Sequence, residues 1–326
     1  MTGPVLVTGA NGFVGRAVVE RLVADGVMVR AAVRRPGAPF AAGASVFAGA
    51  DLDRIDGWRA ALQGVSAVVH CAARVHQLAD DTADPLAAFR RANRDATATL
   101  AEAAAAAGVT RFVFLSSIGV HGAETFERPF RAVDPPAPAS PYAISKHEAE
   151  VELARVAARR GLEVVVLRPP LVYGPDAPGN FATLLRALDR GMPLPLGAIH
   201  NRRSFVAIAN LVDLIVRVLR HPAAVGQAFL VSDGEDLSTT ELLRRTARAL
   251  SRPARLLPVP AQVLRRTLSL LGRAELGQRL CGSLAVDIEP TCARLGWRPP
   301  VDVDAALVAT ARRWRSAGGQ DRGETG

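Results

Sequence analysis

Apolar and polar positions over the first two thirds of the chain follow two rhythms: short, nearly continuous apolar runs, and longer stretches where apolar residues return every three to four positions. The runs predict strands at Val5–Val7, Val27–Val33, Ala67–His70, Phe112–Leu115 and Glu163–Leu167. The stretches between them predict helices over Gly15–Ala24, Asp56–Leu62, Asn93–Ala107 and Pro141–Arg160. Strands that are apolar on both faces, each followed by a helix, imply a parallel sheet covered on both sides, a doubly wound α/β fold. Two helix boundaries carry their own chemistry. Gly108 follows an alanine-rich helix where a left-handed cap is needed, and Ser140-Pro141 supplies an N-cap and then a residue fixed at helical φ.

After Arg168-Pro169-Pro170 the rhythm breaks into a proline- and glycine-rich stretch through Gly197, the mark of a change of domain. A strand-helix pair over Ser204–Leu219 and a strand at Ala228–Ser232 are expected to return to the sheet. Helices follow at Thr239–Leu250, Ala261–Leu271 and Val303–Arg315. The expected division is a first domain over 1–173, rejoined by 204–232, a smaller C-terminal α/β domain from 174–203 and 233–315, and a frayed tail over 316–326.

Composition narrows the classes. In 326 residues, 49% hydrophobic content is ample for a core, which excludes disordered and fibrous proteins. The net charge of +9 raises the question of polyanions, but the arginines are scattered among aspartates and glutamates, so a solvated surface is expected and no nucleic-acid partner. Cys71, Cys281 and Cys292 form neither a disulfide framework nor a metal-ligand cluster, so a reducing, cytoplasmic setting and no metal are expected. No apolar run approaches the roughly 18 residues of a membrane span, so no insertion is expected. Of the 40 basic residues only Lys146 is a lysine, and the only tyrosines are Tyr142 and Tyr173.

Between the first strand and helix lies Thr8-Gly9-Ala10-Asn11-Gly12-Phe13-Val14-Gly15. Glycines at this spacing allow a tight turn, close approach of the backbone to a pyrophosphate and close packing of the helix, whose free N–H groups face the anion. At the end of the second strand stand Arg34 and Arg35 and no acid. An arginine fork suits a ribose 2′-phosphate, which favours NADP(H), with NAD(H) the alternative. Asp51-Leu52 falls where a carboxylate reaches the adenine amino group.

Lys146 follows Tyr142 by four residues, one helical turn, so the two share a face. A nearby ammonium is expected to stabilise phenolate and lower the tyrosine pKa, and to hold cofactor ribose hydroxyls. Upstream, Leu115-Ser116-Ser117 ends a strand at its carboxyl edge, where ligands bind in such sheets. A strand-end serine, a tyrosine and a lysine beside a nicotinamide suit carbonyl–alcohol chemistry.

These segments, with His70-Cys71-Ala72-Ala73, Asn93, Arg168-Pro169-Pro170 and Val172-Tyr173-Gly174-Pro175, resemble the extended short-chain dehydrogenase/reductase family over nearly the whole chain. The resemblance implies a Rossmann domain plus a substrate domain acting on nucleotide sugars. It implies Ser117, Tyr142 and Lys146 as catalytic residues, where relatives usually have tyrosine in place of His121. It implies Gly9, Asn11, Gly12, Phe13, Val14, Gly15, Arg34, Asp51, Leu52, Ala72, Ala73, Asn93, Ser116, Tyr142, Lys146 and Pro169 around the cofactor. Substrate contacts are implied for Ser117, Tyr142, Asn180, at a nucleotide position, and Arg203, at the diphosphate position.

Relatives that dehydrate at C4 and C6 carry an Asp-Glu pair after the strand-end hydroxyl; here those places hold Ile118 and Gly119, which argues against that reaction. Ala72 to His76, Asn201 to Ser204 and Cys281 to Asp287 look most like the bacterial polysaccharide-biosynthesis branch, with Arg74 and His76 as candidate sugar-site residues. That branch holds UDP-glucose 4-epimerase-like enzymes and reductases of UDP-4-keto-6-deoxy-N-acetylhexosamines. Arg34 tilts the expectation towards the 4-keto reductase, with the UDP-sugar 4-epimerase as the alternative. A non-catalytic cofactor-binding scaffold is the alternative of another class. A homodimer through the Tyr-Lys helix would use Val151, Leu153, Ala154, Val156 and Ala157.

Overall fold

The computed structural model describes residues 3–35, 40, 43–48, 55–75 and 84–321. Along the chain run β1 (Val5–Thr8), α1 (Phe13–Ala24), β2 (Val29–Val33), β3 (Ala44–Ala48), α2 (Ile55–Leu62), β4 (Ala67–His70) and α3 (Pro85–Phe89). A single π-helical segment, Arg90–Asp95, leads into α4 (Ala96–Ala106), β5 (Arg111–Leu115), α5 (Pro141–Arg160), β6 (Glu163–Arg168), β7 (Leu171–Tyr173) and α6 (Asn180–Asp189). Then come β8 (Arg203–Ala207), α7 (Ile208–Arg220), β9 (Ala228–Leu230), β10 (Asp236–Leu237) and α8 (Thr239–Ala249). Helices α9 (Ala261–Leu270), α10 (Ala274–Cys281), α11 (Glu289–Leu295) and α12 (Val303–Asp321) close the chain.

Seven strands form one sheet in the order β3-β2-β1-β4-β5-β6-β9, every adjacent pair parallel. The order reverses between β1 and β4, and the carboxyl ends of those two strands open the crevice where a doubly wound sheet takes its ligand. One face is covered by α1 and α7, which bury Val18, Val19, Leu22, Leu211, Leu214, Ile215 and Val218. The other is covered by α2, α4 and α5, which bury Trp58, Leu62, Leu100, Leu153 and Val156. Each such aliphatic side chain contributes about 1.5–3 kcal/mol by leaving water, so the layers hold without any cross-link.

A third core joins Tyr173, Phe181, Leu185, Phe205, Leu243 and Leu307 in the C-terminal part. Within 204–232, α7 and β9 lie on the large sheet, but β8 does not: it pairs with β7 and β10 in a separate three-stranded sheet. The helix expected to end at Arg315 continues through Asp321, and 322–326 lie outside the described residues. Helix α5 matches its sequence signals. Ser140 Oγ accepts from Ala143 N at 3.2 Å, Pro141 follows, and Gly161 ends the helix at φ +71.

The dimer face needs correction. Leu153 and Val156 are buried against the sheet, so of the five residues expected to meet a partner only Val151 and Ala154 are exposed on α5. Among the described residues, no helix is long and apolar enough to cross a membrane.

Candidate active site

The glycine loop is shaped by contacts that exclude a side chain. Gly9 has φ +64, and a Cβ there would stand 2.7 Å from Ala72 N; a Cβ on Gly15 would stand 2.2 Å from Gly9 O. Gly12 caps α1 without any side-chain hydrogen bond, so the first N–H groups of the helix face the crevice. Asn11 Nδ2 donates to Arg35 O at 3.1 Å and ties the loop to the end of β2.

A cleft of about 760 Å³ opens here, lined by Gly9, Asn11, Gly12, Arg34, Arg35, Trp58, Cys71 to Val75 and Ala92. Trp58 Nε1 is buried at its wall without a hydrogen-bond partner among the described residues. Volume, backbone donors and an unused indole N–H together fit a nicotinamide dinucleotide. Of the residues implied around the cofactor, Gly9, Asn11, Gly12, Arg34, Ala72 and Ala73 line this cleft. Phe13 and Val14 pack partly into the core behind it, and Asp51, Leu52 and His76 lie outside the described residues.

Two of the expected residues are turned inward. Asn93, in the π-helical segment, accepts from Arg74 N at 2.8 Å and donates to Arg74 O at 3.1 Å and Ser145 Oγ at 3.0 Å, so it clamps the Ala72–Val75 loop to α5. Ser116 donates its hydroxyl hydrogen to Glu150, which commits its only donor within the protein. Pro169 is buried and accepts from Ile118 N at 3.0 Å, fixing the turn that carries Ser117.

Ser117 caps a short 3₁₀ turn, its Oγ accepting from Gly119 N at 3.1 Å. Its hydroxyl hydrogen is thereby left to donate outward. A Cβ on Gly119 would lie 3.4 Å from both Ser117 Oγ and Ala143 Cβ, so this turn rests on α5 beside Tyr142. Tyr142 meets Phe89 edge-on at 6.1 Å, and the Arg74 guanidinium stands over the Phe89 ring, 5.8 Å from its centre. Lys146 is fully buried with Nζ 4.0 Å from the centre of the Phe114 ring. Strand β5, the following turn and α5 therefore bring Ser117, Tyr142 and Lys146 to one end of the sheet.

The electrostatics differ from the expectation for the tyrosine. Burial pushes the Tyr142 phenol up to about 12, and Lys146 is not among the causes. Burial pushes Lys146 down to about 7, opposed mainly by Glu150 one turn further along α5. Desolvation is the one cause acting on Tyr142, so the phenol holds its proton. Burial likewise pushes the Cys71 thiol to about 12, which keeps it un-ionised.

The buried lysine has a stability consequence. Its folded pKa lies below the ordinary 10.5, so the penalty is full below about pH 7 and fades as pH rises to 10.5. Lys146→Met removes that penalty. We expect the variant to melt at least about 2 °C higher than wild type at pH 6, with the gain shrinking towards pH 10, as scanning calorimetry across that range would show.

Sequence reasoning missed the polar chain beneath the crevice. Ala72 N donates to Thr8 Oγ1 at 3.2 Å, Thr8 Oγ1 meets His70 Nδ1 at 2.7 Å, His70 Nε2 meets Thr97 Oγ1 at 2.9 Å, and Thr97 donates to Asn93 O at 2.5 Å. These polarities place the His70 hydrogen on Nε2, and burial holds that ring neutral, down to about 3. It also missed the buried cluster behind Lys146. Arg168 pairs with Glu150 at 2.6 Å and donates to His121 Nε2 at 2.8 Å. Tyr173 is no rival to Tyr142: fully buried, it donates to Asp233 at 2.8 Å, and burial raises its pKa further.

In the C-terminal part, Arg203 is half-buried and donates to Gly282 O at 2.8 Å, near Glu124 and Arg279. Asn180 is exposed at the first turn of α6, capped by Gly179 instead.

Residues 5–232 match the sequence profile described as the NAD dependent epimerase/dehydratase family. The chain belongs to that family. It is 41% identical over 320 residues to a UDP-glucose 4-epimerase of Vibrio cholerae, covering 97% of this chain and 97% of that protein. It is 33% identical over 260 residues to a 3-diazoavenalumate denitrifying reductase of a Streptomyces species, covering 76% of this chain and 82% of the relative. The crystal structure of the Thermus thermophilus UDP-glucose 4-epimerase complex with NAD superimposes with a TM-score of 0.79 at 26% identity, over 96% of this chain and 99% of that one. This member of the epimerase/dehydratase family is thus a nicotinamide-dependent enzyme of the extended short-chain dehydrogenase/reductase type.

Proposed function

We propose that the protein is a UDP-sugar 4-epimerase, working at C4 of a UDP-hexose. The observation that carries this reading is the full-length 41% identity to the V. cholerae epimerase, set on a site that keeps a strand-end serine, a tyrosine and a lysine in register. Gly9, Gly12, the start of α1, Ala72, Ala73 and Lys146 would hold the cofactor, which supplies hydride transfer when bound. Ser117 Oγ holds the sugar O4 and Tyr142 carries its proton, with Phe89 and Phe114 excluding water around them. Segments 174–203 and 233–315 form the substrate side, where Arg203 meets the diphosphate and Asn180 the nucleotide. Ile118 is buried and Gly119 packs on α5, so no acid-base pair stands where C4–C6 dehydration requires one.

The second reading, net reduction of a UDP-4-keto-6-deoxy-N-acetylhexosamine, is favoured by Arg34 and Arg35 on the cleft wall, which suit NADPH. One experiment separates the two. Purified protein is given UDP-glucose or UDP-N-acetylglucosamine without added reductant, and separately the 4-keto sugar with NADPH. Interconversion of C4 epimers in the first reaction supports the epimerase. Turnover confined to the second, with loss of reduced nicotinamide, sinks it in favour of the reductase.

A further inference from the structure

The hairpin of α9 and α10 carries a surface that the reaction does not use. No residue of α9 is fully buried, and its outer side shows large aliphatic groups: Val263 is 52% exposed, Leu270 89%, Leu271 67%, and Leu257 just ahead of the helix 51%. At 100° per residue Val263 and Leu270 fall on one line of the helix with Arg266 flanking it, and Leu271 is the residue that caps the helix end. The inner side is different. Leu264 and Leu268 pack inward, and Arg265, on the far side of the helix from Leu270, pairs with Glu124 at 3.3 Å near Arg203.

Charge identifies what covers the outer face. Residues 252–273 contain Arg252, Arg255, Arg265, Arg266 and Arg273 and no aspartate or glutamate. Arg252 is paired with Asp189 and Arg265 with Glu124. Arg255, Arg266 and Arg273 form no ion pair among the described residues and stand within four residues of an exposed leucine in sequence. A second copy of this face would bring like charges together, whereas an anionic surface would neutralise them. A helix with Val263 and Leu270 on one line, Arg266 at its flank and further exposed leucines and arginines just beyond both ends has the composition of an interfacial membrane helix, in which apolar side chains enter the headgroup boundary and cations meet phosphates.

We propose that the α9 face docks the protein on the surface of an anionic lipid bilayer, with Leu257, Val263, Leu270 and Leu271 entering the interface and Arg255, Arg266 and Arg273 meeting lipid phosphates. The contact is peripheral, through one helix of about 15 Å. Because Arg265 lies on the opposite side of α9, docking leaves the Arg203 end of the molecule open.

Co-sedimentation of the full-length protein with vesicles tests this. Wild type is expected to pellet with vesicles of equal phosphatidylglycerol and phosphatidylcholine at low salt, at least about tenfold more than with phosphatidylcholine alone, and to be released at high salt. The double variants Leu270→Asn/Leu271→Asn and Arg266→Gln/Arg273→Gln should each lose about tenfold in bound fraction while retaining circular dichroism and nicotinamide binding. Equal pelleting with both vesicle types, no pelleting at all, or variants that bind as wild type does would overturn the proposal. So would a concentration-dependent dimer that the Leu270→Asn/Leu271→Asn change abolishes, which would assign the face to a second copy.

Discussion

Tyr142→Phe should fold like the wild type and lose turnover by about 10²–10⁴-fold. The ring sits edge-on to Phe89 at the first turn of α5, so the phenyl group keeps its packing and only the exchangeable proton is lost. Ser117→Ala should lose less, because it removes one donor to O4 while the proton carrier stays. Steady-state kinetics with the UDP-sugar, alongside nicotinamide binding, separate the two roles: kcat falls in both variants while cofactor affinity holds. A Tyr142→Phe protein with wild-type kcat would remove the tyrosine from the chemistry.

Arg168→Met should be the most damaging single change away from the reacting atoms. The guanidinium is buried with Glu150, at 2.6 and 3.1 Å, and also donates to His121 Nε2 and Ala132 O. Removing it strands a carboxylate in the interior beside Ser116, at a cost of about 3–5 kcal/mol, or a melting temperature lower by about 5–10 °C. The companion test is Arg168→Met with Glu150→Leu. Once both charges are gone the desolvation cost goes with them, so the double variant should recover most of the loss, and a cycle of thermal unfolding experiments reads the coupling directly. An additive double variant would mean that the pair does not act as a unit. Glu150 also opposes the desolvation of Lys146, so the same cycle shows whether the buried charges of α5 are balanced together.

The parts of the molecule most visible in the sequence are those set by neighbours in the chain. Helix α5 runs from Pro141 to Arg160, as its cap, its proline and Gly161 dictate. The glycine loop is equally local, since Gly9 and Gly15 are required by contacts within one βα turn and the adjoining loop. What escaped depends on distant pairing. All five residues of strand β3 are exposed or half-exposed, and only its ladder with β2 makes it a strand. Strand β8 has the same apolar pattern as a sheet-core strand, yet joins β7 and β10, a choice that chain connectivity does not reveal.

The site divides in the same way. Ser117, Tyr142 and Lys146 were legible as types at fixed spacings, whereas the direction of the pKa shift at Tyr142 was not. The sequence places an ammonium one turn away, but only the packing around Tyr142, with Phe89 edge-on to its ring, shows that burial sets its shift. Asn93 and Ser116, expected beside the cofactor, make side-chain hydrogen bonds within the protein. Asn93 reaches Arg74, 19 residues away in sequence, and Ser116 reaches Glu150, 34 residues away. Leu153 and Val156, expected on a dimer face, pack instead into the core between α5 and the sheet, a burial that the helix pattern alone does not reveal.

The central claim is that this site oxidises and reduces a UDP-hexose at C4 without releasing the sugar. Its most direct test is turnover of the UDP-hexose deuterated at C4, with the product analysed by mass spectrometry and NMR. Retention of deuterium at C4 in both epimers, with none lost to water, is the predicted result. Loss of the label to solvent, or its replacement by hydrogen from added NADPH, would contradict the claim.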